Sequence, residues 1–291
     1  MRLLTFRVDG TTRPGVLRPD RSNEVVEVDG AGDMLALIDA GPGGIARAAQ
    51  ALDSTRSRTH RLQDVEVLAP LPHPRGNVIA IGRNYQAHAE ESARAAGKTV
   101  DPPTVFTKAV TTIAGPYDDV VADDSVTNQV DWEVELGVVI GRARINIGRN
   151  HAPDHVFGFV ALNDVSARDI QFGWGGQYFK GKSLDGFCPI GPWIVTPDEI
   201  GDPQALRLSL RVNGVVKQDG NTRDMIYPVD AVIEWVSKGM TLLAGAIIAT
   251  GTPDGVGFAR TPPEFLHPGD VMEAEVEGIG ILRNRIVPAA G

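Results

Sequence analysis

The run Val130-Asp131-Trp132-Glu133-Val134-Glu135-Leu136-Gly137-Val138-Val139-Ile140 sets two carboxylates two residues apart at the head of an apolar segment of strand composition. On a strand, residues i and i+2 share a face, so Glu133 and Glu135 point the same way, roughly 6.5–7 Å apart along the chain. A bare Glu-x-Glu usually lines a solvated edge. Here Leu136 to Ile140 continue without a polar residue, which describes a buried strand instead. Ionised carboxylates in that setting need donors or a cation between them, and a divalent metal is the economical answer. Asn163-Asp164-Val165-Ser166-Ala167-Arg168-Asp169 follows a second apolar segment, Val156 to Leu162, and offers a third oxygen ligand. An all-oxygen, carboxylate-rich set suits Mg²⁺, Mn²⁺ or Ca²⁺ rather than zinc.

The 291 residues suffice for a substantial core, with a prior of about two domains. A formal charge of −9 with no basic patch argues against nucleic acid or anionic membrane as partners. No long uncharged apolar segment and no signal-peptide pattern occurs, so a cytoplasmic protein is expected. The single cysteine, Cys188, excludes an intrachain disulfide and a cysteine-based zinc site, and its neighbours Phe187, Pro189 and Ile190 read as core. The 33 glycines and 20 prolines, without period, suit many short strands joined by tight turns.

The order of elements predicts a mainly β fold with some helix (α+β) in two parts: a small α/β N-terminal domain over residues 1–72 and a catalytic domain over 75–291. The first carries strands at Leu3 to Val8, Gly15 to Leu17 and Val25 to Val28, then helices at Asp33 to Asp39 and Gly44 to Leu52. The proline-rich stretch Ala69 to Gly76 marks the boundary. Beyond it come a strand from Asn77 to Ile81, a helix from Ala87 to Ala96 stopped by Gly97, and a hairpin about Asn213-Gly214. Further on come a helix at Val229 to Lys238, a strand at Gly245 to Thr250 and a last strand pair, Asp270 to Ile279 with Leu282 to Ile286.

Read in order, Ile81-Gly82-Arg83-Asn84-Tyr85, His88, Asp131-x-Glu133-x-Glu135, Asn163-Asp164-x-Ser166-Ala167-Arg168-Asp169, Lys182-Ser183-x-Asp185 and Thr250-Gly251-Thr252-Pro253-x-Gly255-Val256-Gly257 together resemble the fumarylacetoacetate hydrolase family. The resemblance spans roughly Arg75 to Val287. It implies a mixed β-sandwich roll built around a metal, usually as a homodimer, and a small keto or diketo acid as substrate. It places the metal, Mg²⁺ or Mn²⁺, on Glu133, Glu135 and Asp164. It puts Lys182 against the substrate as a stabiliser of developing negative charge, and Arg83, Arg168, Gln171 and Thr252 among the substrate contacts. The founding vertebrate-type enzyme has a further aspartate ligand upstream; the corresponding Phe106-Thr107-Lys108-Ala109 offers none, so water is expected there.

His88 is the best candidate for a general base, because imidazole accepts a proton near neutrality without a large shift. Glu91, three residues on along the same helix, can reach the ring and fix its tautomer. The resemblance implies such a His–Glu dyad on a lid helix, here bounded by Gly82 and by the Gly/Pro-rich residues 97–103, which are positioned to serve as hinges. The other histidines, His60, His73, His151, His155 and His267, read as loop residues without function. The expected activity is metal-dependent hydrolysis of a carbon–carbon bond in a 2,4-dioxo acid. A 2-oxo acid decarboxylase acting on oxaloacetate, or a 2-hydroxymuconate-type isomerase, would use the same site. A metal-stabilised binding protein without catalysis is the reading from another class; it leaves His88, Glu91 and Lys182 without a use.

Overall fold

A computed structural model describes residues 1–19, 21–99 and 101–290. The elements anticipated from pattern are present with shifts of a few residues at their ends. The turn Asp9-Gly10 joins the strands Arg2–Val8 and Thr11–Arg18, and Asn213-Gly214 joins Arg207–Val212 and Val215–Asn221. All four turn residues have positive φ, which is what two-residue hairpins of this hand demand. Asp33 caps the helix Met34–Asp39 by accepting from the Ala36 N–H, and Gly97 ends the helix Gln86–Ala96 in the left-handed conformation.

The largest sheet has 12 strands, and its middle carries the strand Val134–Ile140, fully buried as the apolar run predicted. That strand pairs antiparallel with Val156–Asn163 on one side and with Ile247–Ala249 on the other. The acid run is not one strand, however. Val130–Asp131 forms a separate ladder with Ser166–Ala167, and Trp132 and Glu133 lie in the break between the two. Glu133 is held by Asn163 instead of by a ladder: its N–H donates to Asn163 Oδ1 at 3.0 Å, and its carbonyl accepts from the Asp164 N–H at 2.8 Å. A 5-stranded sheet, which includes the hairpin and the final strand pair, packs against the acid strand through Leu208, Leu210, Met272 and Leu282.

The strand Cys188–Val195 lies at the centre of the large sheet, where sequence pattern gave only core residues, because Pro189 and Pro192 argue against a central strand. The structure accommodates them where the ladder is irregular: opposite Phe159 to Ala161 the register shifts, and Gly191 pairs with Ala161 while Val195 pairs with Phe159. The N-terminal strand Arg2–Val8 adds to the same strand, with Leu3 opposite Ile194, so the strands ahead of the proline-rich connector extend the large sheet. No helix among the described residues is long and apolar enough to cross a membrane.

The tightness of this sheet generates a prediction. A Cβ at Gly158 would come 2.5 Å from Ile194 Cγ2 and 2.6 Å from the Val195 carbonyl, whereas one at Gly148 would meet nothing within 4 Å. Gly158→Ala should therefore cost about 1–3 kcal/mol in a denaturant titration. Gly148→Ala, at an ordinary negative φ, should stay within about 0.5 kcal/mol of the parent.

Candidate active site

The carboxylates of Glu133, Glu135 and Asp164 converge where these strands end, with ligand atoms within 4.8 Å of one another and all three residues buried. Glu135 Oε2 accepts from the Gly251 N–H at 2.7 Å. Gly251, at φ +101° and with Asn84 Cβ 2.8 Å from where its own Cβ would be, admits no side chain there. Asp131 adds a fourth buried acid, which accepts from the N–H groups of Trp132, Gly257 and Phe258 and from Arg168 Nε at 2.7–3.0 Å.

Three buried cations answer these four acids. Arg168 bonds Asp131, brings Nη2 to 2.7 Å from Glu133 Oε1 and donates from Nη1 to Gln171 Oε1. Lys182 Nζ reaches Glu133 Oε2 at 2.7 Å and Asp164 Oδ2 at 2.8 Å. Lys108 Nζ, fully buried, reaches Asp164 Oδ1 at 2.6 Å. Lys108 was the member missed by sequence reasoning, which expected water at this position. Its signal was a lysine ending a half-apolar strand, Thr104–Lys108, and lysines are rarely buried without a partner.

The charges are unequally shared. Burial works against ionising Glu133, but Lys182, Arg168 and His88 together hold it well below the usual carboxylate range. Burial and the charges of Asp164 and Glu133 push Glu135 well above that range. Lys182 is raised despite its burial, because Asp164 and Glu133 favour its charged form. Ionising the whole acid set therefore calls for a further positive charge beside Glu135. Oxygen-only donors with a net surplus of acid fit a divalent cation of the hard class. Cys188, by contrast, is pushed up to about 12 by burial and is inert as a nucleophile.

A cavity of about 420 Å³ opens above the acids, lined by His88, Glu133, Glu135, Arg168, Gln171 and Lys182, and also by Arg83 and Thr252. The residues proposed from sequence thus meet in one place, with Asp164 beneath its floor and Glu91 behind His88. His88 Nδ1 lies 2.9 Å from Glu91 Oε1, and the Gly255 N–H donates to both oxygens of Glu91. The lid helix Gln86–Ala96 is formed and docked on the cavity. Asn84 anchors its N-terminal side through the Tyr227 and Thr250 carbonyls. Arg83, in the left-handed region at φ 59°, reaches Asp101 on the far side of the helix at 3.1 Å. Thr252 differs from expectation in one respect: its hydroxyl donates to the Val134 carbonyl and accepts from Gln218 Nε2, so its proton is already engaged. None of the other histidines lines the cavity, although His60 lies on the strand Thr59–Arg61 and His155 is buried at a helix end rather than in a loop.

The sequence profile of the fumarylacetoacetate (FAA) hydrolase C-terminal domain matches residues 77–287. The chain is 46% identical over 234 residues to oxaloacetate tautomerase YisK of Bacillus subtilis (strain 168), a match covering 80% of this chain and 77% of that protein. Fumarylacetoacetate hydrolase from Exiguobacterium antarcticum superposes with a TM-score of 0.85 at 38% identity, over 99% of this chain and 100% of that one. Maleylpyruvate hydrolase from Sphingobium sp. SYK-6, solved with manganese(II) and pyruvate, superposes with a TM-score of 0.81 at 30% identity, over 100% of each chain.

Because Glu135 is raised, it must lose a proton when a cation binds, so affinity should climb as pH rises toward the raised value and fall as pH drops. Glu133, held low, stays ionised and adds nothing to the slope near neutrality. Calorimetric titration with Mn²⁺ should show an affinity gain of up to about tenfold per pH unit across this window. Glu135→Gln should flatten the profile and weaken binding throughout.

Proposed function

This chain belongs to the fumarylacetoacetate hydrolase family, and on that premise we propose that it interconverts the keto and enol forms of a small 2-oxo dicarboxylic acid of the oxaloacetate type. The observation that carries the reading is the His88–Glu91 dyad docked over the acid cluster. With Nδ1 turned to Glu91, Nε2 is the ring nitrogen that exchanges a proton with the substrate. The name of the 46% identical relative from Bacillus subtilis supports the same chemistry.

Glu133, Glu135 and Asp164 would hold Mg²⁺ or Mn²⁺, which when bound supplies Lewis-acid polarisation of the 2-oxo group and offsets the carboxylates. His88 Nε2 takes the proton from C3, the C–H electron pair becomes the C2–C3 double bond, and a proton is returned to the 2-oxo oxygen. The reverse sequence restores the ketone, and no water is consumed. Glu91 keeps the imidazole in the productive tautomer, while the Gly255 N–H holds Glu91. Lys182 and Arg168 lie where negative charge accumulates on the substrate. Arg83, which lines the cavity and pairs with Asp101, would take the second carboxylate.

Hydrolytic cleavage of a 2,4-dioxo acid is the second reading, favoured by the likeness to maleylpyruvate hydrolase. It needs the same base, directed at a water molecule instead of at C3, and leaves the same enolate for Lys182 to stabilise. Loss of CO₂ from oxaloacetate generates that enolate too, without water.

The two leading readings separate in one experiment. With Mn²⁺ present, the enol absorbance of oxaloacetate should decay faster with protein than without it, and NMR in D₂O should show deuterium entering C3. His88→Ala should slow both by about 10²–10⁴-fold while still binding metal. Cleavage of acetylpyruvate without acceleration of the enol decay would move the assignment to hydrolysis, and an unchanged rate in His88→Ala would remove the dyad from the chemistry.

A further inference from the structure

Two ammonium groups bind one carboxylate at the floor of this cavity, and their surroundings differ. Lys108 ends the strand Thr104–Lys108 and is fully buried. Its three N–H groups are all committed: to Asp164 Oδ1 at 2.6 Å, to the Val165 carbonyl at 3.1 Å and to the Lys182 carbonyl at 2.5 Å. An ammonium has three donors, so this tripod is complete. Lys108 does not line the cavity. Lys182 does, with its Nζ 5.3 Å from the centre of the Phe106 ring, and its two ion-pair partners, Glu133 and Asp164, both belong to the convergent acid set.

The tripod ties together segments that come from distant parts of the chain. The carbonyl of Val165 and the carboxylate of Asp164 follow the strand Val156–Asn163, whereas Lys182 lies in the connection that leads to Cys188–Val195. One side chain therefore sets the position of a candidate metal ligand and the backbone of the residue that faces the substrate. It is also one of the three cations set among four buried acids.

We propose that Lys108 is a positioning residue of the metal centre: it fixes Asp164 through Oδ1, while Lys182, on the other oxygen, is the ammonium that yields its carboxylate contacts when a divalent cation binds. The division rests on the metal site assigned above. A cation on Glu133, Glu135 and Asp164 competes with Lys182, which lines the cavity and pairs with two of the three acids. It competes less with Lys108, which pairs with Asp164 alone and lies outside the cavity lining. Removing a group that orients a metal ligand typically weakens metal binding by about 10–100-fold.

The test uses the full chain and Mg²⁺ as the probe, in two arms. Lys108→Met, shown to be folded by circular dichroism, should bind Mg²⁺ about 10–100-fold more weakly in calorimetry. Lys108→Arg, which keeps the charge but cannot reproduce the compact tripod, should fall between it and the parent. A role confined to fold stability would lower the melting temperature and leave the Mg²⁺ affinity of the folded protein within twofold of the parent, and that result overturns the proposal. The second arm needs no substitution at Lys108: in protein labelled with ¹⁵N at lysine side chains, with Lys182→Arg used for assignment, Mg²⁺ should move the Lys182 ammonium resonance and leave that of Lys108 in place. Movement of Lys108, or no movement of Lys182 while calorimetry registers binding, refutes the division. Absence of Mg²⁺ and Mn²⁺ binding by the parent would instead refute the metal site itself.

Discussion

Burying Asp131, Glu133, Glu135 and Asp164 at one point in the fold imposes a charge balance that the surrounding structure is arranged to meet. Isolated ionised carboxylates cannot persist in such surroundings, and each buried pair is tolerable only with close partners and satisfied hydrogen bonds. The three cations Lys108, Arg168 and Lys182 are drawn in from three separate segments, and each is itself almost wholly buried. Backbone donors complete the arrangement at Gly251, Gly257 and Phe258. Ionised throughout, the four acids would outnumber the three cations by one charge, and a divalent ion that displaces the proton of Glu135 leaves a surplus positive one. A cavity of that sign draws in anions, which suits the 2-oxo acid proposed as substrate.

Much of this was legible in the chain. The apolar continuation after Glu135 marked a buried strand, and burial turned an ordinary acidic pair into a metal candidate. Glu133 escaped the regular strand because Asn163 binds its N–H, a side-chain substitution for a ladder bond that periodicity does not reveal. Arg168 was identifiable as a site residue, but its pairing with Asp131 and Glu133 was not, since they lie about 35 residues away in sequence and meet it only in the folded chain.

The least legible residues are those whose role is to hold others. Lys108 reads as an ordinary surface lysine until the strands close around it. Gln218 reads as the polar position of a hairpin strand, yet it is buried and bridges the Val134 N–H to Thr252 and the Pro253 carbonyl. The strand Cys188–Val195 was hidden for the opposite reason: its prolines contradict the local rule, and only the register shift beside it makes them acceptable. Local propensity identifies elements and exposed chemistry well, whereas supporting contacts depend on long-range pairing that no short window contains.

The dyad and the acid cluster belong to different kinds of structure. The carboxylates are built into or beside the central strands of the large sheet, while His88 and Glu91 ride on a single helix of 11 residues, fastened at Asn84, Gly255 and Asp101. Over evolutionary time these two parts face unequal constraints. A change in the sheet endangers the fold itself, whereas a change in the helix touches a single segment packed over the cavity. On the role proposed for the dyad, the reaction can change by editing this one short segment while the acid cluster stays intact.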